Sequence, residues 1–227
     1  MSSIAIGLRE NKAVRFWDST NGKKAVMAVS GIILFLFVLG HMIGNLQFFE
    51  GPEQFNKYAV LLRTLPEALW AVRILLLIMV VLHIITAVQM AIRKKRARPV
   101  GYTKKENPSS TYASRTMYWS GPIILVFVIY HLLDFTFGTI NPNYIEGDVY
   151  HNVIASFTNP FISIWYIFAM ILLMMHLRHG AWSMLQSLGI VHPRHDRALR
   201  KAATVFAIVI FVGFISIPLS VLAGVMK

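Results

Sequence analysis

Five apolar stretches, each long enough to cross a bilayer as a helix, dominate this 227-residue sequence. A helix needs about 20 largely apolar residues to span roughly 30 Å of hydrocarbon. We predict spans at about residues 24–49, 67–92, 116–137, 160–187 and 202–225. A composition of 56% hydrophobic and 14% charged residues also suits a membrane better than a soluble domain. The predicted fold is therefore an all-α integral membrane bundle of five transmembrane helices, with residues 1–227 forming a single domain.

The basic residues indicate how the bundle is oriented. Lys and Arg concentrate before the first span and in the loops 93–105 and 192–201, whereas the other two loops carry Glu50, Glu53, Glu146 and Asp148. Because positive loops stay inside, we expect a cytoplasmic N-terminus and an outside C-terminus. The net charge of +12 then reflects orientation, and we expect no nucleic-acid partner. Aromatic residues near the span ends are expected to anchor the interfaces: Trp70, Tyr118, Trp119, Trp165 and Trp182.

Two further features narrow the chemistry. The first apolar stretch is longer than a signal-peptide core and no cleavage site follows it, so we expect a retained helix. The chain has no cysteine. It therefore cannot ligate an iron–sulfur cluster or attach a haem through cysteine thiols, and any iron–sulfur chemistry must belong to a partner.

Four of the five predicted spans contain a histidine in their last third, namely His41, His83, His131 and His176. At 1.5 Å per residue, each lies roughly 24 to 26 Å past the start of its helix. Successive helices run in opposite directions, so His41 and His131 should lie near the outer face. His83 and His176 should lie near the cytoplasmic face. The spacing thus predicts two histidine pairs at two depths.

Each predicted pair matches the axial ligands of a low-spin haem iron, which accepts two neutral imidazoles on opposite sides of a plane. Two pairs predict two b-type haems. A structural zinc site would need four ligands at one point, whereas only two histidines share each predicted depth. A proton relay usually recruits several carboxylates within the spans, where Asp134 alone is a candidate. A hydrogen bond between helices is the ordinary alternative for any single membrane histidine.

Other residues are candidates for the surroundings of these haems. His179 shares a helix face with His176 and is either the alternative ligand or a propionate partner. Arg73 and Arg178 are the best-placed cations for propionates, although snorkelling explains Arg73 equally well. We expect the loop histidines to be solvated: His151, His192 and His195. Five glycines could permit close approach of helices or a macrocycle: Gly31, Gly40, Gly44, Gly121 and Gly138.

Several segments carry a resemblance to a known family. They are KKAVMAVSGIILFLFVLGHMIGNLQFF (residues 23–49), the following FNKYA, VLHIITAVQ around His83, YHLLDF around His131 and HLRHGAWSMLQSLG (residues 176–189). Together they resemble the five-helix, two-haem cytochrome b subunit of succinate dehydrogenases and fumarate reductases over nearly the whole chain. The resemblance implies that His41 and His131 bind the outer haem, and that His83 and His176 bind the inner one.

The resemblance also implies a function and partners. The chain would be the cytochrome b anchor of a succinate:quinone oxidoreductase in the bacterial cytoplasmic membrane. A flavoprotein would carry the dicarboxylate chemistry, and an iron–sulfur protein would exchange electrons with the anchor, which would react with a quinone, expected to be menaquinone. Both partners would dock on the cytoplasmic face, where a basic surface could assist, although the positive-inside rule alone would produce it: Arg93, Lys94, Lys95, Arg96, Arg194, Arg197 and Arg200.

Quinone reduction needs a proton donor near the headgroup. Asp134, three residues past His131, is the first candidate, and Glu50 and Glu67 are alternatives. Ser30 could instead serve a site at the inner face. Two rival functions remain, a cytochrome b anchor of another dehydrogenase, such as a hydrogenase or formate dehydrogenase, and a haem-free proton or solute carrier.

Overall fold

A computed structural model describes residues 11–97 and 112–227 of the chain, with the side chains described from residue 115 onward in the second range. Within these residues the chain forms eight α-helices and one 3₁₀ turn, Gln47–Glu50, with no strand. The helices are α1 (Lys12–Asp18), α2 (Thr20–Leu46), α3 (Pro52–Arg63), α4 (Pro66–Arg96), α5 (Tyr112–Phe135), α6 (Val149–Phe157), α7 (Pro160–Ser187) and α8 (Asp196–Leu222). Most of the predicted basic loop 93–105 lies outside the described residues.

Five of these helices, α2, α4, α5, α7 and α8, are long and apolar enough to cross a membrane. The all-α fold with five spans is therefore confirmed. The main difference is that four helices extend beyond the predicted spans, α2, α5 and α8 at their starts and α4 at its end. Helix α4 continues through a basic last turn to Arg96, and α8 begins at Asp196, which pairs with Arg200 one turn later at 2.8 Å. Charges of these signs at these helix ends favour the extra turns.

Three short helices occupy segments that the apolar pattern treats as connections. Helix α3 begins with Pro52 directly after Gly51, whose φ of 96° turns the chain. Helix α6 is capped by Asp148, whose carboxylate accepts a hydrogen bond from the backbone N–H of His151 at 3.0 Å. Because hydropathy detects spans rather than caps, these helices were not predicted from the sequence.

Neighbouring spans run antiparallel. The end of α4 lies beside the start of α2, because Arg93 donates to the backbone oxygen of Asp18 at 2.7 Å and Lys23 donates to Gln89. The end of α7 likewise meets the start of α8. We call this side, which carries residues 93–96 and 192–200, the basic end. The side with Glu50, α3 and α6 is the opposite end.

The larger cluster of buried hydrophobic residues lies toward the opposite end, where α3 and α6 cover the spans. The ring of Phe48 is fully buried and stacks on Tyr150, with ring centroids 4.9 Å apart. A close approach of α3 to α2 depends on Gly44, since a Cβ there would lie 2.4 Å from the hydroxyl oxygen of Tyr58. By contrast, α4 exposes side chains such as Leu77 and Ile78 on its outer surface, as expected for a helix facing lipid.

Candidate functional site

His41 on α2 and His131 on α5 face each other near the opposite end of the bundle. Their ring centroids are 5.8 Å apart and the ring planes are nearly perpendicular, at 89°. Aromatic rings surround the pair, with Phe37 stacked on His41 at 5.3 Å and Phe127 at 5.8 Å from His131. The structure thus brings together, from two different helices, the two histidines predicted to share the outer depth.

His83 on α4 and His176 on α7 form the second pair, closer to the basic end. Their ring centroids are 6.2 Å apart, with 54° between the ring planes. Helix α2 passes close to this pair at Gly31, where a Cβ would lie 3.4 Å from Cε1 of His83.

The separation within each pair suits two imidazoles that share one metal ion. Two metal–nitrogen bonds of about 2 Å, together with the distance from each nitrogen to its ring centre, add up to roughly 6 Å. In the part of the chain that the structure describes, no group of three or more His, Cys, Asp or Glu side chains could hold a metal ion. Each pair therefore offers two imidazoles, as many as a haem iron has axial positions.

Hydroxyl groups lie at the Nδ1 atoms of three of these histidines. Ser30 Oγ lies 3.2 Å from Nδ1 of His83, and Ser120 Oγ lies 3.4 Å from Nδ1 of His176. The Ser30 hydroxyl also donates to the backbone oxygen of Met27, so its oxygen is free to accept the His83 Nδ1 hydrogen. A partner at Nδ1 fixes the ring orientation and leaves Nε2 as the atom available to a metal.

At the other pair, the hydroxyl oxygen of Tyr166 lies 3.5 Å from Nδ1 of His131. The same hydroxyl donates to Asp134 Oδ2 at 2.9 Å, and Ser156 donates to Asp134 Oδ1 at 2.6 Å. Asp134 is 1% exposed. Its carboxylate therefore lies behind His131 as part of a buried polar group and does not face lipid.

The other residues predicted to contact a quinone differ in how exposed they are. Ser30 is 1% exposed and contacts His83. Glu67 is exposed in the first turn of α4, and Glu50 is exposed at the end of the 3₁₀ turn. Of the four candidates, only the two glutamates are open to the surroundings of the bundle.

The candidate propionate partners lie outside the two pairs. The guanidinium of Arg73 is 5.1 Å from the ring centroid of Trp70. Arg178 is exposed and donates through Nε to Thr204 on α8 at 3.1 Å. His179 is half-buried, but the ring that faces His83 is that of His176. Whether these residues bind a propionate stays a prediction.

Sequence reasoning missed several polar residues of the site. Ser120 and Tyr166 lie at Nδ1 atoms, and Lys23 is a 3% exposed cation that donates to Gln89 near the basic end. Depth along the helix would have predicted the two serine hydroxyls. Ser30 and Ser120 each precede the histidine of their own span by 11 residues, or about 16 Å, which places them level with the pair at the basic end.

A buried donor was missed as well. Among the described residues, Nε1 of Trp165 is the buried side-chain polar atom that has no hydrogen-bond partner. Buried donors are normally satisfied. Trp165, predicted as an interface anchor, is therefore a candidate to donate to a group that binds between the helices beside Tyr130, whose ring centroid is 6.4 Å away.

The five spans and the histidines paired between them define a multi-pass helical membrane protein. The family model for the succinate dehydrogenase/fumarate reductase transmembrane subunit matches residues 93–215, just over half of the chain. The chain belongs to this family, whose members are subunits of an oxidoreductase complex. Searches of curated proteins and of solved structures returned no match.

Proposed function

We propose that this chain is the cytochrome b anchor of a succinate:quinone oxidoreductase, which passes electrons between an iron–sulfur subunit and a membrane quinone. The proposal takes residues 1–227 as one transmembrane cytochrome b domain in the bacterial cytoplasmic membrane, with the basic end facing the cytoplasm. Family membership supports the kind of complex and favours this function over an anchor of a hydrogenase or formate dehydrogenase.

The proposal is carried by two pairs of facing histidines, each formed between alternate spans. The ring centroids are 5.8 Å apart in the His41–His131 pair and 6.2 Å apart in the His83–His176 pair. We propose that His41 and His131 hold one haem b and that His83 and His176 hold the other. Bound haem supplies a reversible one-electron carrier at each level. The protein's contribution is to hold neutral imidazoles at fixed orientations, with the hydroxyls of Ser30, Ser120 and Tyr166 at their Nδ1 atoms.

Each haem also brings propionates, which need donors or cations. Lys23 suits this role near the basic end, because an ammonium has three donors and the Lys23 group is enclosed with Gln89 as its acceptor. Arg73, Arg178 and His179 remain proposed partners. Because Arg178 is already fixed to Thr204, it would reach a propionate only with its remaining guanidinium hydrogens.

The quinone, proposed to be menaquinone, would need a proton donor that it can reach from the lipid. Exposure favours Glu50 and Glu67 at the opposite end for this contact, while Asp134 and Ser30 are enclosed behind histidines. Asp134 could then act on the quinone only through neighbouring groups. This keeps all four residues as candidates but ranks the exposed glutamates first.

Two further subunits are proposed to bind at the basic end, an iron–sulfur protein in contact with the anchor and a flavoprotein that carries the dicarboxylate chemistry. Part of the predicted basic surface is already engaged within the chain. Arg93 bonds to Asp18 and Thr20, and Arg200 bonds to Asp196 and lies 3.7 Å from the ring centroid of Trp182. Lys95, Arg96, Arg194 and Arg197 are exposed and available to an acidic partner surface.

The direct test is purification of the complex from native membranes through a tag on this chain. We expect a flavin-containing subunit and an iron–sulfur subunit to co-purify, b-type haem bands in the reduced-minus-oxidised spectrum, and succinate-dependent reduction of a menaquinone analogue. A complex that lacks haem b bands would support the haem-free carrier and contradict the proposal. Co-purification with only a nickel or molybdenum enzyme would contradict it as well.

A further inference from the structure

A buried chain of polar groups leads from one proposed haem ligand to a carboxylate. It runs from Nδ1 of His131 to the hydroxyl of Tyr166 at 3.5 Å, from that hydroxyl to Asp134 at 2.9 Å, and from Asp134 to Ser156 at 2.6 Å. Asn141 in turn donates to Ser156 Oγ at 3.1 Å. It connects α5, α7 and α6 behind the His41–His131 pair.

The hydrogens in this chain all point toward Asp134. The Ser156 oxygen accepts from the Asn141 amide, so its own hydrogen goes to Asp134 Oδ1. The Tyr166 hydrogen goes to Asp134 Oδ2. Both oxygens of Asp134 are thus engaged as acceptors within this chain of hydrogen bonds. The lone pairs of the Tyr166 oxygen are left to accept the Nδ1 hydrogen of His131.

Among the described residues, no carboxyl group contacts the serine hydroxyls at the second pair. Ser30, at His83, donates its hydroxyl hydrogen to the backbone oxygen of Met27, a neutral acceptor. The hydroxyl at His131, in contrast, is oriented by a carboxylate that is 1% exposed. In a low-dielectric surrounding, the hydrogen bonds of a connected chain polarise and strengthen one another.

We propose that Tyr166, held in place by Asp134, is a positioning residue that orients His131 and lowers the reduction potential of the haem bound there. This inference rests on the proposed function, since it requires a haem between His41 and His131. An acceptor at Nδ1 makes the imidazole a more basic ligand, and a more basic ligand stabilises ferric over ferrous iron. Asp134 acts on His131 indirectly, through the hydroxyl of Tyr166.

The experiment is a spectroelectrochemical titration of the purified complex with Tyr166→Phe, Asp134→Asn and the double variant. Tyr130→Phe is the matched control, because Tyr130 lies on α5 with its ring centroid 6.0 Å from that of Tyr166 and its hydroxyl is not part of the chain. Haem content, measured on the same samples, reports the proposed function independently.

We expect Tyr166→Phe to keep both haems and to raise the midpoint potential of one haem component, while the other component and Tyr130→Phe stay at the wild-type values. Asp134→Asn should shift the same component in the same direction, and the double variant should shift it no further than Tyr166→Phe alone. If Tyr166→Phe does not assemble, Asp134→Asn decides, because it conserves shape and leaves an acceptor for Tyr166.

Unchanged potentials in a variant with both haems would overturn the positioning role and leave the proposed function intact. A double variant whose shift equals the sum of the single shifts would also overturn it, because the carboxylate would then act without the tyrosine. A wild-type complex without haem would instead overturn the proposed function itself.

Discussion

Ser30 on α2 contacts His83 on α4, with 3.2 Å between the serine oxygen and the imidazole Nδ1 atom. Both residues lie on long apolar helices that run in opposite directions. The serine hydrogen is directed to the backbone of its own helix, which leaves the serine oxygen to accept from Nδ1 of His83 and so to orient the ring.

Ser30→Ala should therefore weaken the binding of one haem. Loss of a group that orients a metal ligand typically costs about 10- to 100-fold in metal affinity. The measurement is haem loss from the detergent-solubilised protein, followed by transfer to an apo-acceptor protein. Ser216→Ala is the control, since the Ser216 hydroxyl donates to the backbone oxygen of Gly213 on its own helix at 2.7 Å. Equal haem loss from both variants would contradict the orienting role.

Gly44→Ala should destabilise the packing of α3 on α2. A Cβ at residue 44 would lie 2.4 Å from the Tyr58 hydroxyl, which must move, and overpacking of this kind costs about 1–3 kcal/mol. Gly40→Ala is the matched control in the same helix, because a Cβ there meets no atom within 4 Å. Thermal unfolding in detergent should give a lower midpoint for Gly44→Ala than for Gly40→Ala. The reverse order would show that α3 does not pack on Gly44 as described.

Asp148 gives the opposite end an acid-sensitive contact. Its pKa lies below the usual value for aspartate because the backbone N–H of His151, and then the side-chain amide of Asn56, donate to the carboxylate. A carboxylate with a depressed pKa in the folded state stabilises above its unfolded pKa of about 3.9, and this contribution disappears as pH falls through the lower folded pKa.

Asp148→Asn should accordingly lose less stability than wild type when the pH is lowered below about 4. Unfolding midpoints at neutral pH and across this acidic range measure the difference. Glu146→Gln, a change to an exposed carboxylate in the same loop, should keep the wild-type acid dependence. A wild-type profile for Asp148→Asn would mean that the cap contributes nothing to the acid sensitivity.

At the basic end, we expect some residues to stabilise the chain and others to contact a partner. Arg197→Gln, at an exposed position, should slow association with the proposed iron–sulfur partner at low salt and leave thermal stability unchanged. Arg93→Gln should lower stability, because Arg93 bonds to the Asp18 carbonyl and the Thr20 hydroxyl. Association rates over a salt series and unfolding midpoints measure both. Identical behaviour of the two variants would contradict this division.

The spans and the depths of the histidines could be predicted from the sequence because both follow from the constant rise per residue of an apolar helix. His41 and His131 meet because equal depths on α2 and α5 coincide. Their roles as haem ligands stay a prediction. The contacts around them depend on the rotation of each helix about its axis, which depth does not determine. Tyr166 and Asp134 therefore come together only in the folded structure.

The extracted haem b content per chain in four proteins, wild type, His41→Ala, His83→Ala and the double variant, tests the central claim most directly. Two separate sites, each built from one pair, predict two haems in wild type, one in each single variant and none in the double variant. The remaining haem of His83→Ala should keep its wild-type spectrum. Absence of haem from the intact wild-type complex, or loss of both haems from a folded single variant, would contradict the account.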